Sequence, residues 1–406
     1  MKKEKTPNIR FKKFEHNWFK ECLNKVSNSI EYGLNASAKD FDGIHKYLRI
    51  TDIDESSRLF LTDKLSSPDV NFTIEDYENY KLQKNDLLFA RTGASVGKTY
   101  LYRESDGEVY YAGFLIRARL RNSYDGNFIF QQTLTEKYKQ FIEIISQRSG
   151  QPGVNGKEYG EWNVGMTTYH EQSAISSLFR TLDDLLASYK DNLANYQSLK
   201  ETMLSKMFPK AGQTVPEIRL DGFKGDWKKD TLEPYLTESR ISGDTGLTAK
   251  KITVKLWGKG VVEKEEKYAG SSNTQYFIRK AGQFIYSKLD FQNQAFGIIP
   301  NELDGYQSTL DLPTFDIQNI DPKFLLEYVM RREFYEYQGL IANGSRKAKR
   351  IHPEDFLVMP VRIPSLDEQQ AIGAYFSNLD NLIATHQEKI SQLETLKKKL
   401  LQDMFI

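Results

Sequence analysis

"EQSAISSLFRTLDDLLASYKDNLANYQSLKETMLSKMFP" occupies residues 171–209, and "EQQAIGAYFSNLDNLIATHQEKISQLETLKKKLLQDMFI" occupies residues 368–406. The two stretches align without a gap at an offset of 197 and are identical at 14 of 39 positions. The identities run from Glu171/Glu368 and Gln172/Gln369, through Phe179/Phe376 and Asp183/Asp380, to Lys200/Lys397 and Phe208/Phe405. An ungapped match of this density marks an internal duplication. Each copy carries a seam that steps by four and three: Ile175, Phe179, Leu182, Leu186, Tyr189 and Leu193 in the first, and Ile372, Phe376, Leu379, Ile383, His386, Ile390 and Leu393 in the second. That alternation is the period at which one helix packs along another. It predicts two long helices, each roughly 58 Å at 1.5 Å per residue, whose equal seams pack on each other. Thr168…Glu171 and Ser365…Glu368 have the S/T-x-x-E spacing of a capping box and predict where the helices start.

A second echo precedes each copy. "PNIRFKKFEHNWFKECL" (7–23) and "PEIRLDGFKGDWKKDTL" (216–232) share Pro, Ile, Arg, Phe, Trp, Lys and Leu at an offset of 209. Pro209, Gly212 and Pro216 end the first helix. The chain therefore reads as two units, each an entry segment, a globular segment and a long helix, like a two-unit ring cut once. The divisions fall at 1–166, 167–209, 210–364 and 365–406. The globular segments share little sequence beyond their edges. Both are rich in short β-type runs such as "DLLFAR", "TYLYRE", "ITVKLWG" and "QFIYSKL" bounded by Gly, Asn and Asp. Each ends in a helical pattern, over 127–146 and 322–342, so the fold class is α+β.

Fifty-six basic and 55 acidic residues leave a net charge of +1, which is no bar to a local basic surface. Cys22 is the only cysteine, so no intramolecular disulfide forms, as suits a reducing compartment. The first residues are charged and lack the apolar core of a signal peptide, and no apolar run is long enough to span a bilayer. These features predict a cytoplasmic protein with no membrane partner.

Motifs for catalysis are sparse. Gly93-Ala-Ser-Val-Gly97-Lys98-Thr99 is one residue short of the G-x-x-x-x-G-K-[ST] phosphate loop. A phosphate loop also needs a helix next, to aim its N-terminus at the phosphates. Here "YLYRESDGEVYY" follows, which reads as strand and hairpin. Five histidines form no metal-ligating pair and no nucleophile elbow occurs, so neither a metal site nor a catalytic residue is expected.

What both globular segments do carry is basic, amide-rich loops. The first has Arg91, Thr92, Ser95 and Lys98 at the expected hairpin tip, then Arg148, Gln151, Asn155 and Lys157 in "QRSGQPGVNGKEYG". The second has Lys288, Gln292 and Asn293 in "YSKLDFQNQ", then Ser345, Arg346, Lys347, Lys349 and Arg350 in "NGSRKAKRIHPED". Lysine and arginine neutralise phosphates, while arginine and side-chain amides pair with base edges. Glycines at the tip would let backbone approach DNA closely. DNA or another polyanion is the ligand these loops suit.

Helices opening "EQ.AI…F..LD.L", each closing a variable β-rich segment, resemble the specificity subunit of type I restriction–modification systems. So do "IPSLDEQQAI" (363–372), the "PEIRLDGFKGDW" linker (216–227) and the "LKKKLLQDMFI" ending (396–406). The resemblance covers nearly the whole chain. It departs at "NVGMTTYHEQ" (163–172), where the family's proline-rich lead into the helix is lost. It implies two target recognition domains, each reading half of a bipartite sequence in double-stranded DNA, held by two long antiparallel coiled-coil helices in a pseudo-two-fold arrangement. It further implies that the helices set the spacer and dock two methyltransferase subunits, that two restriction subunits complete the complex, and that this chain holds no cofactor. S-adenosylmethionine, ATP and Mg would then belong to the partner subunits. Two other readings remain open at this point: a nucleotide-binding enzyme using 93–99, and a coiled-coil scaffold that binds only proteins.

Overall fold

A computed structural model describes residues 6–147, 152–265, 271–340 and 350–406. The chain divides into two compact units: residues 1–189 with 389–406, and residues 190–388. Each unit thus combines one globular segment with the start of one long helix and the end of the other.

In the first unit, β1 (Phe19–Cys22) enters the domain and β2 (Ser27–Tyr32), β3 (Asp86–Ala90), β4 (Thr99–Leu101) and β5 (Leu115–Leu120) build an antiparallel sheet of order β2-β5-β3-β4. α1 (Gly126–Gln132), α2 (Glu136–Ile145) and α3 (Gly156–Gly160) follow, then β6 (Asn163–Met166), which pairs with β1, and α4 (Tyr169–Lys206). The central strand β3 is buried along its whole length. Its alternate residues feed different cores: Leu87 and Phe89 pack with α1 and α2, while Leu88 and Ala90 pack with Tyr100, Tyr111 and Leu115. A strand covered on both faces shows no polar alternation, as in "LLFA", and the buried Asp86 that precedes this run is bonded to Arg119.

In the second unit, β7 (Lys228–Thr231) pairs with β12 (Pro360–Ile363) as β1 pairs with β6. β8 (Leu236–Ser239), β9 (Phe284–Tyr286), β10 (Phe296–Ile298) and β11 (Thr314–Ile317) form an antiparallel sheet of order β8-β11-β9-β10, the topology of the first unit. α5 (Pro322–Met330), α6 (Arg332–Gly339) and α7 (Pro353–Leu357) precede β12, and α8 (Leu366–Asp403) ends the chain. The globular segments therefore share a fold that their sequences do not advertise.

Each late helical pattern is two helices rather than one. In the first unit Thr135 turns its hydroxyl back to accept from the Tyr138 amide and starts a new helix. In the second, Arg331 takes an extended conformation (φ −70°, ψ 140°), with its buried guanidinium 4.1 Å from the Tyr328 ring and 4.6 Å from that of Phe208. The preceding helices have matching caps. Asp125 accepts from the Phe128 amide and Asp321 from the Phe324 amide, and the long helices α4 and α8 answer, since Gln172 accepts from Asp125 N–H and Gln369 from Asp321 N–H.

Within each unit the two helix segments run antiparallel. In the first, Phe179 stacks on Phe405 (centroids 5.8 Å apart) and Lys397 pairs with Asp183 at 2.6 Å. In the second, Phe376 stacks on Phe208 (6.1 Å), Lys200 pairs with Asp380 at 2.7 Å and Tyr196 meets His386 edge-on (5.1 Å). Of the expected capping boxes, Ser365 keeps its half, its hydroxyl accepting from Glu368 N–H (3.4 Å), while both glutamate side chains turn to other partners. Glu171 accepts from Arg10 and Thr167, and Glu368 from Arg219 and Trp227. Burial alone would push Glu171 up, but the Arg10 and Thr167 hydrogen bonds outweigh it and hold the carboxyl below its ordinary value. The "PxIR" arginine thus ties each entry segment to its helix start. No helix among the described residues is long and apolar enough to cross a membrane.

Candidate nucleic-acid interface

The hairpin β3–β4 carries the loop 91–98. It is not a phosphate loop, because Thr99 begins a strand that pairs back on β3 through Phe89 and the Thr99 hydroxyl is buried against Thr133. Gly93 and Gly97 both adopt positive φ (73° and 84°). A Cβ on Gly97 would stand 2.8 Å from Cγ2 of Ile142, so this glycine serves close packing inside the protein, not approach to DNA. Lys98 also turns inward. Its ammonium donates to the Ile53 carbonyl (3.2 Å) and pairs with Glu55 (2.7 Å), leaving the side chain 10% exposed. Ser95 closes the loop by accepting from Lys98 N–H through its carbonyl.

Arg91 and Thr92 lie on the other side of the loop, where three segments meet at one end of the sheet. Arg91 N–H donates to Phe114 O, Val154 N–H donates to Arg91 O, and Gly93 N–H donates to Pro152 O. Thr92 bridges Gly153. The Arg91 guanidinium sits 5.0 Å over the Tyr32 ring, and the Tyr32 hydroxyl accepts from Gly156 N–H (3.0 Å). Asn155 caps α3 with its side chain, and both it and Lys157 are exposed. The structure thus gathers Arg91, Thr92, Asn155 and Lys157 with Tyr32 and Phe114, and sets Lys98 apart. Phe114 and Tyr32 were not expected from the sequence, since neither stands in a basic loop.

The second unit repeats this node at an offset of 197. Lys288 N–H donates to Asp311 O, and Ile351 N–H donates to Lys288 O. Phe114 and Asp311 are each the third residue of a turn closed by Leu115 N–H to Ala112 O and by Leu312 N–H to Thr309 O. The side chains differ. Arg350 lies 3.5 Å from Asp311, and burial pushes the Lys288 ammonium down, with Asp311 opposing. Gln292 is exposed beside Gly339, while Asn293 donates its side-chain amide to Asp290 and its carbonyl accepts from Trp257 N–H. Arg148, Gln151, Ser345, Arg346, Lys347 and Lys349 lie outside the described residues.

The helix seam is used inside the protein. Ile175, Phe179, Leu182 and Leu186 are buried in the first unit and Ile372, Phe376 and Leu379 in the second, while Leu193, Ile383, Ile390 and Leu393 are half-buried. Besides Tyr169 and Leu366 at the helix starts, the exposed apolar residues of the helices are others: Leu185 and Leu396 in the first unit, Leu199 and Leu382 in the second. They too are repeat mates, Leu185 with Leu382 and Leu199 with Leu396.

A β-rich domain ending in charged loops and closed by a long helix is thus present twice. Residues 234–395 match the family model described as the type I restriction modification DNA specificity domain. The chain is 20% identical over 388 residues to the type I restriction enzyme MjaVIII specificity subunit of Methanocaldococcus jannaschii, covering 89% of this chain and 85% of that one. Its fold matches the crystal structure of the type I restriction–modification system S subunit from M. genitalium with a TM-score of 0.64, at 13% identity and 99% coverage of both chains.

Proposed function

We propose that each unit reads one half of a bipartite DNA target, the first through the Arg91 node and the second through the Lys288 node. The observation that carries this reading is the pair of nodes itself. The backbone bonds recur at one offset, while the side chains they present, Arg91, Tyr32 and Phe114 against Lys288, Asp311 and Arg350, are chemically different. Equal scaffolds with unequal tips suit two unequal half-sites. Arginine is the better of the two cations for paired bonding to guanine, whereas lysine acts as a point charge.

In this reading α4 and α8 fix the spacer. Two domains that address one face of a duplex need sites about one helical turn apart, roughly 34–36 Å, which 38-residue helices are long enough to supply. The outer leucines Leu185/Leu396 and Leu199/Leu382 offer two repeat-related docking patches, and hence places for two methyltransferase subunits, with two restriction subunits joining the complex. S-adenosylmethionine, ATP and Mg would be held by those partners. The test is methylation sequencing of DNA from cells expressing this chain with its methyltransferase. A bipartite motif is expected, with Arg91→Ala altering one half and Lys288→Ala the other. A continuous motif, or two halves indifferent to both substitutions, would sink the proposal.

A further inference from the structure

Phe114 is 64% exposed, on the turn between Ala112 and Leu115. A lone exposed phenylalanine is unremarkable in itself, but its setting is not. Its turn is fixed from three sides: Leu115 N–H bonds Ala112 O, Gly113 N–H bonds Leu34 O, and Phe114 O accepts from Arg91 N–H. Gly33 makes the close approach possible, since a Cβ there would collide with the carbonyl of Ala112. The guanidinium next to it is held in place by the Gly113 carbonyl (3.4 Å) and by the Tyr32 ring, itself 46% exposed. The sheet end therefore presents an exposed apolar ring on a fixed turn, next in sequence to the carbonyl that holds a positioned cation. That combination fits a base edge carrying a methyl group next to a hydrogen-bond acceptor, and thymine is the base with a methyl in the major groove. The equivalent residue of the second unit is Asp311, whose carboxylate faces Arg350, so the second unit lacks this apolar tip.

Resting on the DNA-reading role proposed above, we infer that Phe114 is a specificity-determining residue of the first domain, making an apolar contact with a thymine methyl group. The experiment uses the full chain in complex with its methyltransferase subunits. Methylation sequencing first fixes the motif, and the half altered by Arg91→Ala identifies the first half-site. Phe114→Ala is expected to relax one position of that half, a position specified as an A·T pair, and to leave the other half intact. Phe114→Leu, which keeps an apolar tip and guards against misfolding, is expected to retain more of the preference. Replacing that thymine by uracil should weaken binding to the wild-type complex by about 4-fold, the value of one buried methyl group. The same replacement should cost the Phe114→Ala complex nothing further, and the salt dependence of binding should not change. An unaltered first half-site, a relaxed position that is not A·T, or a uracil penalty equal in both complexes overturns the inference. If Arg91→Ala leaves both halves of the motif unchanged, it is the DNA-reading role of the node that fails first.

Discussion

The two units solve one packing problem twice and differ where the solution touches charge. In the first, Lys397 pairs with Asp183, and the neighbouring position is Gln131, which donates to Asp183 at 3.2 Å and leaves its own buried oxygen without a partner. In the second, Lys200 pairs with Asp380, and the neighbouring position is Glu327, 3.3 Å from the ammonium. Burial pushes the Glu327 carboxyl up, and Lys200 opposes that only in part. The same contrast of neutral against ionic appears at the two sheet-end nodes, where Phe114 of the first unit answers to Asp311 of the second, paired with Arg350. What holds each unit together is shared, while the polar groups layered on it are free to diverge, because apolar packing fixes geometry without fixing charge.

The shared part should fail equally in both units. Phe405 packs on Trp18, Phe128 and Phe179, and Phe208 on Trp227, Phe324 and Phe376. Phe405→Ala and Phe208→Ala are each expected to cost about 3–5 kcal/mol. Hydrogen exchange resolved by segment would check this, and a large loss in only one unit would break the equivalence. Next in size are Arg10→Ala and Arg219→Ala, which strand Glu171 and Glu368 as buried charges at a cost of about 3 kcal/mol each. Glu171 titrates below its ordinary value when folded. Its stabilising contribution is therefore present above the unfolded pKa and fades as pH falls through the folded one. Arg10→Ala should accordingly show a smaller loss at pH 3 than at pH 7 in a denaturation series.

The charge difference gives smaller and opposite effects. Lys200→Met should cost about 2–3 kcal/mol by leaving Glu327 uncompensated, whereas Glu327→Gln should change stability at pH 7 by less than about 1 kcal/mol. Because the folded pKa of Glu327 is raised, its contribution is greatest below the unfolded pKa and is lost as pH rises through the folded one. Glu327→Gln should therefore gain relative to wild type as pH rises from 4 to 8. A gain on acidification would reverse that assignment. Smallest is Lys98→Ala, expected to cost about 1 kcal/mol of stability through loss of its Glu55 pair and its bond to Ile53, with the salt slope of DNA binding unmoved. A slope lowered by about 1 would return Lys98 to the phosphate-contacting residues.

The duplication, the long helices and their seam were legible because identity and periodicity are written along the chain. Their reading needs no partner farther away than the next turn. Single helices over 127–146 and 322–342 were misjudged because Thr135 and Arg331 interrupt the pattern through bonds and ring contacts that periodicity does not encode. The candidate interface was half legible. A basic loop around Arg91 could be picked out by composition, but Lys98 could not be known to turn toward Glu55, nor Phe114 to stand beside Arg91.

By itself, then, the sequence determined that this protein is built twice from an entry segment, a β-rich domain and a long helix, since local hydrophobic patterning and repeated residues suffice for that. Only the tertiary structure decided that Arg91 and Lys288, Phe114 and Asp311, or Gln131 and Glu327 occupy equivalent places. These pairs share no residue identity. Their equivalence rests on backbone bonds and packing between segments tens of residues apart, which depend on the sheet having formed.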